Sequence, residues 1–262
     1  MAQELAPMRE QVYKDPRPAE YFDRFHERGR TREPDFVYDF CRVILSFYVW
    51  IVFRARCISS EKVPEHGPVI LTPNHFSFVD HFLVGAFLRR KVRFMAKSQL
   101  FKPPLQWIYT HGGVFPVRRG HHDEEAFITA FRILDRGGCI VMYPEGGRSR
   151  SGRLSQRVRP GVGRLALESG APVVPVAIYG SQKARNWKRL QLPKVTVQYG
   201  DPIAFERVAT STREQQQAAA NQIFEAVRGL YSELERTGRR GMVQRMRALR
   251  RAERRSGRAA TA

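Results

Sequence analysis

Short apolar runs bounded by polar, glycine-bearing turns recur through the chain between residues 69 and 199. Runs of this length read as buried strands, and they alternate with stretches whose apolar residues keep helical spacing. The pattern predicts strands at Val69–Leu71, Val92–Ala96, Gly113–Val117, Cys139–Tyr143, Pro172–Tyr179 and Val195–Tyr199. It predicts helices over Phe78–Leu88, part of Gln99–Thr110 with a break at Pro103-Pro104, about Asp123–Asp135, and Gly161–Ser169. Asp123, Glu124 and Glu125 fall in a first turn and Gly137-Gly138 just past a helix end, as the helix dipole and left-handed C-caps favour. Gly170 stops the next helix in the same way. Such alternation predicts an α/β fold, a mostly parallel or mixed sheet flanked by helices.

The flanks differ in pattern. Val43-Ile-Leu-Ser-Phe-Tyr-Val-Trp-Ile-Val-Phe53 carries no charge and is bordered by Arg42, Arg54 and Arg56. It is shorter than the roughly 20 residues that span a bilayer. Two readings stand: a helix in the membrane interface, with Tyr48 and Trp50 at headgroup depth and arginines on phosphates, or a buried core helix. The density of large apolar residues favours the interface. Ser211-x-x-Glu214 reads as the cap of a last helix running to about Glu235, with Ile223, Val227, Leu230, Tyr231 and Leu234 on one face. From Arg236 arginines dominate, with Met242, Met246 and Leu249 as a narrow apolar stripe. That tail reads as solvated, or as drawn to an anionic leaflet. The expected division is a polar lead-in (1–34), an apolar membrane-associating helix (35–57), an α/β domain (58–236) and an arginine-rich tail (237–262).

Charge narrows the partner. A net charge of +20 over 262 residues points to a phosphate metabolite, an anionic lipid surface or nucleic acid. The aromatic–basic stacking motifs of RNA-binding sheets are missing, so no nucleic-acid partner is expected. Cys41, Cys57 and Cys139 form no C-x-x-C pair, which predicts reduced thiols in a cytosolic setting, with neither a disulfide frame nor a zinc site. The first residues are polar and lack a secretory pattern. There is no G-x-S-x-G elbow, Walker A loop or G-x-G-x-x-G turn, which removes the main signals of a serine hydrolase, a P-loop nucleotidase and a dinucleotide enzyme.

The candidate chemistry starts at Leu71-Thr-Pro-Asn-His-Phe-Ser-Phe-Val-Asp80. A histidine held by a carboxylate takes a proton from a hydroxyl near neutral pH, so His75 is a candidate base and Asp80 its orienting acid. Residues five apart lie about 140° apart on a helix, so the two meet only across a bend such as a strand-to-helix junction. Ser77-x-x-Asp80 also reads as a capping box, which would make Asp80 structural. Three strands run into polar groups: Asn74-His75, Arg118, and Pro144-Glu-Gly-Gly-Arg-Ser149. A parallel sheet sets such groups on one edge, where open α/β sheets bind ligands. Arg118 and Arg148 would converge near His75, with Lys97 adding charge. Gly146 and Gly147 would free backbone N–H groups to face an anion. His121-His122 reads as plain surface.

These blocks resemble the glycerolipid acyltransferases, specifically the bacterial 1-acylglycerol-3-phosphate type. Asn74-His75 through Asp80 is similar to the family's N-H-x4-D. Gly113-Val-Phe-Pro-Val-Arg118 resembles its second block, with Gly113, Phe115 and Arg118 at the expected places. Pro144-Glu-Gly-Gly-Arg-Ser149 resembles its E-G-T-R-S block, with Gly147 in place of Thr. Val174-Pro175-Val176 resembles the fourth. The resemblance implies acyl transfer from acyl-CoA or acyl carrier protein, as co-substrate, to the free hydroxyl of a lysophospholipid, giving phosphatidic acid. In that scheme His75 deprotonates the hydroxyl, Asp80 holds the imidazole, and Arg118, Glu145 and Arg148 handle the glycerol phosphate. Asn74, Lys97, Gly113, Phe115, Gly146 and Ser149 complete the expected substrate-binding set. No covalent acyl-enzyme, metal or cofactor is implied, and the expected location is peripheral, on the cytoplasmic face of the cell membrane.

Overall fold

The computed structural model describes residues 15–120, 123–149, 151–185 and 193–259; His121-His122 lies outside them. The elements in chain order are α1 (Asp23–Thr31), α2 (Phe36–Val52), β1 (Arg56–Ile58), β2 (Val69–Pro73), α3 (Asp80–Ala86), β3 (Arg93–Lys97) and α4 (Leu105–His111). There follow β4 (Val114–Val117), α5 (Glu124–Asp135), β5 (Cys139–Val141), α6 (Gly161–Ser169), β6 (Val173–Tyr179), β7 (Thr196–Tyr199) and α7 (Arg213–Ala259). The strands form one sheet in the order β1-β7-β6-β2-β5-β3-β4, with the β6–β7 pair antiparallel and the other pairings parallel. This is the mixed, mostly parallel sheet that the strand–helix alternation predicts.

Strand β2 sits at the centre, and all five of its residues are buried. Its side chains alternate between two cores, as a pleated strand requires. Val69 and Leu71 join Leu83 and Val84 of α3 and Val49 of α2 on one face. Ile70 joins Ile133 of α5, Leu165 of α6 and Phe224 of α7 on the other. The sheet is therefore the middle of three layers, and its polar strand ends are left at the rims.

Four sequence expectations change. The 35–57 segment does not stay helical throughout: α2 ends at Val52, and Arg56–Ile58 pairs with β7 as an edge strand. Neither is α2 a buried core helix. Val37, Tyr38 and Val49 are buried, while Phe36 is 73% exposed, Phe40 65% and Trp50 61%. The described part of the lead-in, from residue 15, holds α1 and is docked, since Phe22 and Phe25 pack on Phe101, and Arg93 donates to the carbonyls of Gly29 and Arg32. The last helix starts with a capping box one residue later than expected. The Thr212 N–H donates to Gln215 Oε1 and the Gln215 N–H to Thr212 Oγ1, while Ser211 Oγ donates to Glu168. That helix continues past Glu235, breaks at Gly238 (φ 67°, ψ 169°), and buries Met242 in the core.

Candidate active site

The site is built where β2 ends. Asn74 carries the β2–β6 pairing one residue further through its side chain, which donates to Ile178 O (3.1 Å) and accepts from Ile178 N–H (2.7 Å). The chain then turns through His75, Phe76 and Ser77 before α3 begins at Asp80. Asp80 Oδ2 accepts from the Phe76 and Ser77 N–H groups, each at 2.7 Å, and lies 3.0 Å from His75 Nδ1. One carboxylate oxygen thus serves both readings of Asp80. It ties the first turn as a capping residue does, and it fixes the imidazole across the strand-to-helix bend.

His75 is held at every polar group of its backbone. Its N–H donates to Glu145 Oε1 (2.8 Å), and its carbonyl accepts from the Ser149 N–H (2.8 Å). Its ring stacks on Tyr143 with centroids 4.1 Å apart and an interplanar angle of 26°. His81 meets the same ring edge-on at 5.0 Å, and its Nδ1 lies 3.0 Å from the Tyr143 hydroxyl. Burial, only partly offset by Asp80, and then the charges of Arg148 and Arg119, lower the His75 pKa from its ordinary value. The imidazole is therefore neutral at neutral pH. With Nδ1 on Asp80, Nε2 is the nitrogen placed to receive a proton. Burial holds His81 neutral too, with its pKa pushed down to about 3.

Cations from three separate strand ends gather here, and two of them, Arg148 and Arg119, act on His75. Lys97 closes β3, Arg119 follows β4 and Arg148 lies in the loop after β5. Burial lowers the Lys97 pKa, and the charges of Arg148 and Arg119 lower it further. Burial, Arg159 and Arg148 do the same to Arg119. Crowded, partly desolvated like charges repel one another and attract an anion. Beside them an apolar cavity of about 180 Å³ is lined by Tyr38, Phe78, Phe82, Phe94 and Ile108, with His81 at its wall. A neutral imidazole with cations near it, and with an apolar cavity beyond His81, can deprotonate a hydroxyl on an amphiphile that carries a phosphate.

Several residues expected to touch substrate do something else. Arg118 donates to the Arg17 carbonyl (3.2 Å), and its N–H goes to Asp123. Of the two arginines that follow β4, the one whose charge acts on His75, together with Arg148, is Arg119. Asn74 is wholly buried on β6. Phe115 is a core residue. Gly113 sits at the opposite end of β4 with φ +79°, where a Cβ would lie 2.5 Å from Pro34 Cγ. Gly146, also left-handed, gives its N–H to Tyr143 O rather than to an anion, and a Cβ there would strike Arg159 Cδ at 2.6 Å. Ser149 closes its own loop, with Oγ donating to Arg153 O. Glu145 is buried behind His75, and its pKa is raised to about 8 by desolvation. Arg119, Tyr143 and His81 were missed, because nothing in their local pattern separates them from ordinary strand-end residues.

Comparisons with known proteins bear on the family and the fold. Residues 54–179 match a family model described as Acyltransferase. The chain is 25% identical over 166 residues to 1-acyl-sn-glycerol-3-phosphate acyltransferase BAT2, chloroplastic, of Brassica napus, covering 62% of this chain and 46% of that protein. It is 24% identical over 173 residues to the 1-acyl-sn-glycerol-3-phosphate acyltransferase of Bacillus subtilis (strain 168), covering 64% and 82%. The chain spans about half the length of the first curated relatives that it matches. The crystal structure of the 1-acyl-sn-glycerophosphate (LPA) acyltransferase PlsC from Thermotoga maritima superposes with a TM-score of 0.59, at 22% identity over 82% of this chain and 89% of that one. At that identity the likeness establishes the shared fold. Residues 54–179 form a domain of the acyltransferase family.

Proposed function

We propose that the protein transfers a fatty acyl group from a thioester, acyl-CoA or acyl carrier protein, to the free hydroxyl of 1-acylglycerol 3-phosphate, giving phosphatidic acid. The observation that carries the proposal is that a neutral His75, held by Asp80, has a cluster of cations near it and, across the ring of His81, an apolar cavity. Such an acceptor has a phosphate for the first and an acyl tail for the second. His75 Nε2 takes the hydroxyl proton as the oxygen attacks the thioester carbonyl. The tetrahedral adduct then collapses, the C–S bond breaks, and the leaving sulfur takes the proton from His75. Asp80 stabilises the imidazolium formed between the two steps. Lys97, Arg119 and Arg148 grip the acceptor phosphate, so the reaction gains from holding both partners in place.

The same reading places the protein peripherally on the cytoplasmic face of the cell membrane. Among the described residues no helix is long and apolar enough to cross a membrane. Yet α2 exposes Phe36, Phe40, Val43, Phe47, Trp50 and Ile51, and α4 exposes Leu105 and Trp107 close by. An unpartnered aromatic stripe of this kind suits the headgroup–acyl boundary. The test is a panel of acceptors with labelled acyl-CoA or acyl carrier protein and product analysis by mass. Labelled phosphatidic acid from lysophosphatidic acid is expected. Preference for glycerol 3-phosphate or another lipid hydroxyl would reassign the acceptor, and no transfer to any would overturn the proposal.

A further inference from the structure

A second basic site lies on the same rim of the sheet, away from His75. Strand β6 runs parallel to β2, β7 antiparallel to β6, and β1 parallel to β7. The starts of β1 and β7 therefore share the rim where β2 ends. β7 is two strand spacings from β2 and β1 three, so their starts sit about 10 Å and about 14 Å along that rim.

There an open cleft of about 940 Å³ is lined by Arg56, Lys194, Arg240 and Arg247, and by Trp50 and Ile51 from the end of α2. These four cationic side chains are exposed, and among the described residues no acidic one lines the cleft. The wall is built rather than accidental. Gly238 takes a left-handed φ of 67° that breaks α7 and redirects its second half. Arg239 then donates to Thr196 Oγ1 (2.9 Å), Arg54 O (2.8 Å) and Val195 O (2.5 Å). It thereby pins that half against the sheet edge, and Arg240 and Arg247 are carried to face Arg56 and Lys194.

We infer that this cleft seats the phosphate headgroup of one membrane phospholipid, distinct from the acceptor site at His75. Guanidinium groups from separate elements suit a phosphate, since each can donate paired hydrogen bonds. Trp50 and Ile51 decide between a lipid and a soluble phosphate. They belong to the exposed apolar stripe of α2, so a lipid whose headgroup enters the cleft lays its tails along that stripe. The site rests on the membrane-surface reading above and deepens it. A lipid bound there fixes the orientation of the rim, so that the site at His75 also opens onto the lipid layer.

The test uses the full chain in vesicle sedimentation, with neutral phosphatidylcholine vesicles compared with vesicles that also contain phosphatidylglycerol. Arg56→Ala, Arg240→Ala and Arg247→Ala are combined. A control removes the same charge from the opposite rim through Arg89→Ala, Arg207→Ala and Arg213→Ala. Binding to neutral vesicles reports the surface reading alone; its absence in the wild type would count against the α2 anchor. The gain on adding phosphatidylglycerol reports the cleft. The first triple variant is expected to lose that gain by about tenfold or more while the control keeps it. Equal loss in both variants, or no loss in the first, would overturn the site. Millimolar inorganic phosphate is expected to leave vesicle binding in place; complete displacement would identify a soluble phosphate as the ligand and overturn the lipid assignment. If the triple variant melts early, Arg240→Glu alone gives the same readout.

Discussion

At the scale of residues, the site consists of one imidazole and a frame. Glu145 and Ser149 hold the main chain of His75, Asp80 holds its ring, and Tyr143 covers one face. Arg119→Ala is expected to raise the KM for the acceptor about tenfold or more, as loss of a charge-assisted contact does, while Arg118→Ala stays near the wild type. Steady-state kinetics on both variants check this, and the reverse order would return the role to Arg118. Glu145 gives a pH prediction. Its folded pKa of about 8 lies above the ordinary 4.5, so the folded state binds more protons between those values. Its contribution to stability is full below about pH 4.5 and is lost as pH rises through 8. Glu145→Gln keeps an acceptor for the His75 N–H and should flatten the fall in melting temperature between about pH 5 and about pH 8. Glu145→Ala leaves that N–H unpaired and should cost about 1–3 kcal/mol in denaturant unfolding. The lowered His75 pKa sets the acid limb of kcat/KM below the ordinary histidine value of 6.5, because the base must be neutral. A pH–rate profile with its acid limb above that value would contradict this.

At the scale of elements, what sequence could and could not reveal has physical causes. Helix α6 was legible from end to end because apolar spacing starts it and Gly170, with φ 66°, stops it. The central strands were legible because they are buried on both faces and read as unbroken apolar runs. Strand β1 was not, since three residues with an arginine and a cysteine carry no period. Helix α1 was hidden among charged residues, with only Phe22 and Phe25 marking its docking face. The motif around His75 was legible as a cluster, but its members could not be sorted into frame and ligand. Asn74 and Gly113 are as fixed in place as any binding residue, by a strand ladder and by Pro34. Packing between elements gives a further prediction. Helices α6 and α7 approach so closely at Gly163 that a Cβ would lie 1.9 Å from Gln216 O. Gly163→Ala should therefore push the helices apart and lower stability by about 1–3 kcal/mol, read by thermal or denaturant unfolding. An unchanged melting temperature would mean that this contact is not as close as described.

At the scale of the whole molecule, the mixed sheet brings its chemistry and its surface to one rim. Strands β2, β5, β3 and β4 end there with His75, the Glu145–Ser149 loop, Lys97 and Arg119, and β1 and β7 begin there beside the second basic cleft. The apolar stripe of α2 contributes Trp50 and Ile51 to that cleft, and α2 contributes Tyr38 to the wall of the apolar cavity. A net charge of +20 is then in keeping with the proposal that the molecule meets phosphates both as substrate and as surface.

The central claim is that His75 removes the acceptor proton. It is tested most directly by the rate of labelled acyl transfer from acyl-CoA to lysophosphatidic acid, measured for the wild type and for His75→Ala with matched melting temperatures. The account predicts that the variant binds vesicles as the wild type does but turns over at least about 100-fold more slowly, the loss of one general base. Turnover within a few-fold of the wild type, in a variant shown to be folded, would contradict it.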